Sequence, residues 1–101
     1  MKQVRHIVLV RFAKDKTHRM APLHKALDDL RGVIPGFLAI EGGEYSSPEG
    51  LNQGYTHGFI MTFAGAAARD GYLTHSDHEK LKDAFLPDID AVVAFDFEVE
   101  G

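Results

Sequence analysis

Residues 4–12 read Val-Arg-His-Ile-Val-Leu-Val-Arg-Phe, a run rich in β-branched and aliphatic side chains that predicts a β-strand. Side chains of a strand alternate between its two faces. One face would carry Val4, His6, Val8, Val10 and Phe12, and the other Arg5, Ile7, Leu9 and Arg11. Because apolar side chains fall on both faces, we expect this strand to be largely buried from both sides.

A helix is predicted after this strand, because apolar residues recur at intervals of three and four: Met20, Leu23, Leu27, Leu30 and Ile34. Pro35–Gly36 ends the pattern. Thr17 has the side chain of an N-cap, but a helix starting there would lose a backbone hydrogen bond at Pro22. We therefore expect the regular helix to begin nearer Arg19 or Met20.

Three further segments have the composition and alternation of strands. The second strand is predicted at residues 37–41, and the Gly42–Gly43 pair that follows suggests a bulge or bend. The third is expected at residues 55–63 and the fourth at residues 92–99. The chain thus supplies four strands.

A second helical region is expected at residues 66–85, interrupted near His75, with Ser76 as the cap of its second segment. The order of elements is then β-α-β-β-α-β. This order predicts an α+β, ferredoxin-like fold, in which both helical regions cover one face of a four-stranded antiparallel sheet. At 101 residues, we expect residues 1–101 to form a single domain.

The other face of this sheet would be apolar and uncovered, because it carries Ile7, Leu9, Val93, Phe95, Phe97 and Val99. An exposed patch of this kind usually marks an interface. We therefore expect two copies of the chain to pack sheet against sheet, as a homodimeric α/β barrel.

Composition excludes several classes of function. The formal net charge is −4 and the basic residues are scattered, which is unlike a nucleic-acid-binding surface. No apolar run approaches the roughly 20 residues that span a bilayer, and no signal segment is recognisable, so we expect a cytoplasmic protein without membrane contact. The chain has no cysteine and no glycine-rich phosphate loop, so neither thiolate chemistry nor a nucleotide cofactor is expected.

Two clusters of titratable residues remain as candidates for chemistry, at residues 52–57 and 72–78. Together they hold three of the six histidines and two of the three tyrosines. Imidazole titrates near pH ~6.5 and phenol near ~10, so these groups can exchange protons around neutrality. His75 and His78 lack a third ligand at metal-binding spacing, so we expect no metal site.

Four motifs in this order resemble the stress-responsive dimeric α/β-barrel (Dabb) family over nearly the whole chain: His6–Leu9, Gly54–His57, Tyr72-x-x-His75-x-x-His78 and Phe95–Phe97. The resemblance implies a small dimer. Plant polyketide cyclases of this family, which close a linear polyketide by aldol condensation, have a pocket between sheet and helices. The resemblance implies that such a pocket is surrounded here by His6, His57, Tyr72, His75, His78 and Asp96.

Proton transfer next to a carbonyl needs a base and a donor for the enolate oxygen. We assign His78 as the base, Tyr72 as the donor, and Asp96 or His57 as the group that orients an imidazole. The predicted substrate-binding residues are His6, His24, Leu27, Phe59 and His75.

The first helix departs from the cyclases, because Leu23, His24 and Leu27 stand where they carry aromatic residues. The polyketide reaction is therefore not transferred to this chain. Our leading hypothesis is cofactor-free cyclase, lyase or isomerase chemistry on a small carbonyl or aromatic compound. One alternative is a non-catalytic stress-response or ligand-binding dimer, in which the same side chains form a buried hydrogen-bond network. Another is a cofactor-independent monooxygenase, which the absence of tryptophan disfavours.

Overall fold

The computed structural model describes all residues, 1–101, as an antiparallel sheet with its helices on one face. The strands are β1 (Lys2–Phe12), β2 (Phe37–Glu44), β3 (His57–Phe63) and β4 (Ile89–Glu100). The helices are α1 (Met20–Arg31), α2 (Ala66–Thr74) and α3 (Ser76–Phe85), with short 3-10 turns at Thr17–Arg19 and Leu86–Asp88. The strand order is β2-β3-β1-β4, so the ferredoxin-like βαββαβ prediction is confirmed. None of the helices is long and apolar enough to cross a membrane.

Strand β1 lies at the centre of the sheet, paired with β3 on one side and with β4 on the other. Its alternation agrees with the prediction, because Val4, His6, Val10 and Phe12 are buried beneath the helices. Burial from both sides is not found in the single chain, where Leu9 is 36% exposed on the outer face. Phe95 of strand β4, which pairs with Ile7, is 64% exposed. The sheet therefore has one covered and one uncovered face.

Helix α1 begins at Met20, as expected, after the 3-10 turn. Pro22 is tolerated because the first four backbone N–H groups of a helix have no partner within it. The helix ends at Arg31 and not at Ile34, which lies in the following turn but remains part of the core. Apolar spacing continued past the helix end because this turn also faces the sheet.

Residue His75 separates α2 from α3, because its ψ of 138° is extended and not helical. Its Nδ1 accepts a hydrogen bond from the backbone N–H of Asp77 at 3.0 Å. The predicted cap, Ser76, is instead the first residue of α3. A histidine therefore ends one helix and caps the next.

The predicted bulge at Gly42–Gly43 is wrong: the register of β2 against β3 shifts between Phe37 and Ala39. Gly42 is required by a close contact instead. It lies opposite Phe59 on β3, and a Cβ atom there would fall 2.5 Å from Cδ1 of the Phe59 ring. At Gly43 the corresponding space is open.

The substitution Gly42→Ala should therefore displace the Phe59 ring and lower the free energy of unfolding by about 1–3 kcal/mol, as overpacking of a core does. Gly43→Ala is the matched control and should change it by less than about 0.5 kcal/mol. Urea denaturation of both variants measures the difference. Equal stabilities would contradict the proposed contact.

Candidate functional site

An apolar cavity of about 280 Å³ lies between the inner face of the sheet and the helices. Its apolar walls come from all three helices and from β1, β3 and β4, and include Val8, Leu23, Leu27, Phe59, Met61 and Phe85. Leu86 and Val92, which also line it, are 47% and 46% exposed, so the cavity opens beside the end of α3 and β4. Its size is near the lower end of small-molecule sites.

Four polar or charged side chains line this cavity: His6, Tyr72, His78 and Lys82. The ring centroids of Tyr72 and His78 are 4.2 Å apart, and those of His6 and Tyr72 are 5.9 Å apart. Tyr72 and His78 come from different helices, and the break at His75 allows both to face inward. The structure therefore brings together two imidazoles and one phenol.

The imidazole of His78 is held in one tautomer, because its Nδ1 donates a hydrogen bond to the Leu73 carbonyl at 3.2 Å. A carbonyl oxygen only accepts, so Nε2 of the neutral ring keeps its lone pair. Burial lowers the pKa of His78, which is therefore neutral at pH 7. The orienting group is a backbone carbonyl, and neither Asp96 nor His57 serves this ring.

The phenol of Tyr72 remains protonated across the physiological range, because burial raises its pKa well above the usual value of 10.0. Its hydroxyl makes no hydrogen bond within the protein. Every fully enclosed side-chain polar atom in the chain has a hydrogen-bond partner. The Tyr72 hydroxyl has none, so it is not fully enclosed, and the accessible space beside Tyr72 is the cavity. Tyr72 thus offers a free hydrogen-bond donor next to a free imidazole lone pair.

Asp96 orients the second imidazole, that of His6, whose Nδ1 donates to Oδ1 of Asp96 at 2.5 Å. The other carboxylate oxygen of Asp96 accepts a hydrogen bond from Nη1 of Arg69 at 2.7 Å. Burial alone raises the pKa of Asp96, but the hydrogen bonds from Arg69 and His6 outweigh it and hold this pKa below its usual range. Asp96 is therefore ionised, and Nε2 of His6 is the ring nitrogen left for a ligand.

The sequence analysis does not predict Arg69 as a site residue. Its spacing could have indicated this position, because Arg69 lies three residues before Tyr72 and therefore on the same side of α2. Its partner on β4 is 27 residues away in the chain, a distance over which helical periodicity gives no information.

Four of the predicted site residues do not line the cavity: His24, His57, His75 and Asp96. Asp96 contacts His6, which does line it. His57 bonds through Nδ1 to Oγ1 of Thr56 at 2.8 Å and packs against Phe12. His24 packs edge-on against Phe59 and shares a separate open groove with His57. His75 is occupied as the cap of α3.

The sequence analysis predicted His57, His75 and Asp96 around the pocket and His24 as a substrate-binding residue, but none of these four side chains lines the cavity. Alternation along β3 gave the correct face for His57, but a face extends along the whole strand, and the cavity occupies only part of it. Leu27 and Phe59, by contrast, do line the cavity.

The stress-responsive A/B barrel domain family model matches residues 4–99. The stress-response A/B barrel domain-containing protein At5g22580 of Arabidopsis thaliana is 35% identical over 99 residues, covering 94% of this chain and 85% of that protein. The crystal structure of At3g17210, also from Arabidopsis thaliana, has a TM-score of 0.89 at 30% identity and covers 97% of this chain and 96% of the other.

Two solved structures of lower identity share the fold. A dimeric ferredoxin-like protein from Jannaschia sp. CCS1 has a TM-score of 0.85 at 24% identity, covering 96% of this chain and 99% of that one. The hydroxynitrile lyase of Passiflora edulis has a TM-score of 0.85 at 20% identity, covering 97% and 94%.

The buried imidazole of His78 should make stability depend on pH. Because its folded-state pKa lies below 6.5, the unfolded chain takes up this proton at a higher pH than the folded chain. The contribution of His78 to the free energy of unfolding is therefore complete above pH 6.5 and is lost as the pH falls through the folded-state pKa. His78→Gln should flatten the curve below pH 6.5, as measured by urea denaturation at a series of pH values. Identical slopes for the two proteins would contradict the assignment.

Proposed function

The chain belongs to the stress-responsive A/B barrel domain family, and we propose that it binds a small, largely apolar carbonyl compound and catalyses proton transfer at the carbon next to the carbonyl. The observation that carries this proposal is the contact between a neutral imidazole and a protonated phenol in an apolar cavity. A base and a hydrogen-bond donor at one place are the two groups that enolisation needs.

In the proposed reaction, Nε2 of His78 accepts the proton from the substrate carbon. The electron pair of the broken C–H bond moves into the carbon–carbon bond, and the carbonyl oxygen gains negative charge. The Tyr72 hydroxyl donates a hydrogen bond to that oxygen. Apolar walls strengthen this interaction because they lower the local dielectric constant. In the isomerase form, His78 returns the proton to a different carbon or to the opposite face of the same carbon. In the cyclase form, the carbanion attacks a second carbonyl carbon, and the oxygen of that carbonyl takes the proton from His78.

His6 serves as the second polar anchor of the substrate in this proposal. Asp96 and Arg69 hold its ring in one orientation, so Nε2 is the nitrogen that forms a hydrogen bond with the ligand. Leu27 and Phe59 contact the apolar part of the same molecule. No metal or organic cofactor is required for these steps.

Lyase chemistry is a further form of the same proposal. The fold is shared with a hydroxynitrile lyase, so this architecture can hold a lyase active site. Cleavage of a bond next to a carbonyl or hydroxyl group uses the same kinds of residue, namely a base and an oxygen-directed donor.

We further propose that the chain forms a homodimer through the outer face of its sheet. On this face Leu9, Val93, Phe95 and Phe97 are 36%, 38%, 64% and 41% exposed. Burial of apolar area of this kind favours association. The Jannaschia protein of the same fold is described as dimeric, which supports the proposal.

Deuterium exchange into the methyl group of acetophenone, followed by proton NMR in D₂O, tests the catalytic proposal. The wild-type protein should accelerate exchange, and His78→Gln should lower the enzymatic rate by roughly 10²–10⁴-fold because the base is lost. Tyr72→Phe should also lower it, since the oxygen loses its donor while the ring remains.

His75→Asn is the matched control, because asparagine also caps helices and the His75 ring is outside the cavity. Its exchange rate should equal that of the wild type. Binding of acetophenone without any acceleration of exchange would reject catalysis and favour the ligand-binding alternative.

The dimer is tested by sedimentation at micromolar concentration. The wild type should sediment with twice the 11.2 kDa mass of the chain, and Phe95→Glu should shift it to the monomer because a charge would be buried between the sheets. Val33→Glu places the same charge at a residue that is 53% exposed and outside the sheet, and it should remain dimeric. A wild-type monomer would overturn the proposal.

A further inference from the structure

Lys82 is the one residue of the cavity wall whose side chain carries a permanent charge at neutral pH. It belongs to α3, four residues after His78, so the two side chains lie on the same side of the helix with Cβ atoms about 5–6 Å apart. Its side chain is 38% exposed. Lys82 is therefore a partly exposed part of the cavity wall, one helical turn from the proposed base.

The ammonium of Lys82 is available to a ligand. Its one partner in the protein is Glu79 at 2.9 Å, and the Glu79 side chain is 53% exposed and does not line the cavity. Ion pairs at such exposed positions are weak because water screens them. A carboxylate of a bound molecule, in partly apolar surroundings, can replace Glu79 at little cost.

The charge of Lys82 also affects the pKa of the proposed base, His78. After burial and the Leu73 hydrogen bond, the positive charge of Lys82 is among the influences on the His78 pKa, and it acts to lower it. A substrate carboxylate at this position would offset that positive charge next to the imidazole that accepts the proton.

We infer that the substrate is a small carboxylic acid with an apolar body, such as an aryl or keto acid, whose carboxylate is bound by Lys82 at the cavity wall. This inference rests on the proposed function. The apolar body lies against Leu27 and Phe59, and the carbonyl group reaches Tyr72 and His78. The spacing of one helical turn between Lys82 and His78 separates the carboxylate from the reacting carbon.

The experiment compares two ligands of the same shape, 4-acetylbenzoate and 4-acetylbenzamide, which differ in charge. Wild-type protein should bind the carboxylate about tenfold more tightly by NMR titration, because a charge-assisted contact forms only with it. Lys82→Met keeps the aliphatic stem and removes the charge. It should abolish this preference and leave the affinity for the amide unchanged.

Lys80→Met is the matched control. This variant loses the same charge from α3, but Lys80 is 81% exposed, pairs with Asp77 and does not line the cavity. Its preference for the carboxylate should equal that of the wild type, and added salt should weaken the preference in both proteins.

Equal affinities of the wild type for the two ligands, or a preference that survives Lys82→Met, would overturn the role of Lys82 while leaving the proposed function intact. Failure of both ligands to bind in the cavity would overturn the proposed function, and this inference with it. Loss of the preference in Lys80→Met as well as in Lys82→Met would assign it to the general charge of α3 and reject a specific contact.

Discussion

The inner face of the sheet must be removed from water, and the rest of the molecule is arranged around this requirement. Strand β1 is central to that face, and its side chains Val4, Val10 and Phe12 are almost completely buried. Helix α1 and the α2–α3 pair provide the cover. The cover leaves an unfilled apolar volume beneath α3. Cavities in a core normally reduce stability. An apolar cavity lined by a few oriented polar groups is typical of a ligand-binding site.

Both imidazoles beside the cavity are held by defined partners. The Leu73 carbonyl orients His78, and Asp96, itself paired with Arg69, orients His6. These partners satisfy one nitrogen of each imidazole and leave the other for a ligand. The network is rigid because its members come from β1, β4, α2 and α3, which are fixed by sheet pairing and by the helix break.

The outer face has the opposite character. A single sheet with helices on one side is a two-layer structure, and its second face is normally polar unless it is covered. Here the exposed side chains include Phe95 and Phe97, two large aromatic residues. The same strand, β4, therefore contributes Asp96 to the inner network and these aromatics to the outer face, through simple alternation. The proposed dimer interface on this face would lie behind the sheet and would leave the cavity on the helical side open.

The sequence by itself determined the order of elements, the face of each strand residue and the helix break at His75, because these depend on local periodicity and backbone chemistry. It identified Tyr72 and His78 as neighbours for the same reason. It did not determine which of His6, His24 and His57 reach the cavity, nor that Arg69 joins Asp96. Those outcomes depend on strand register and on how far each helix is displaced along the sheet, and only the tertiary structure decided them. Periodicity carries the direction of a side chain but not its distance from residues elsewhere in the chain.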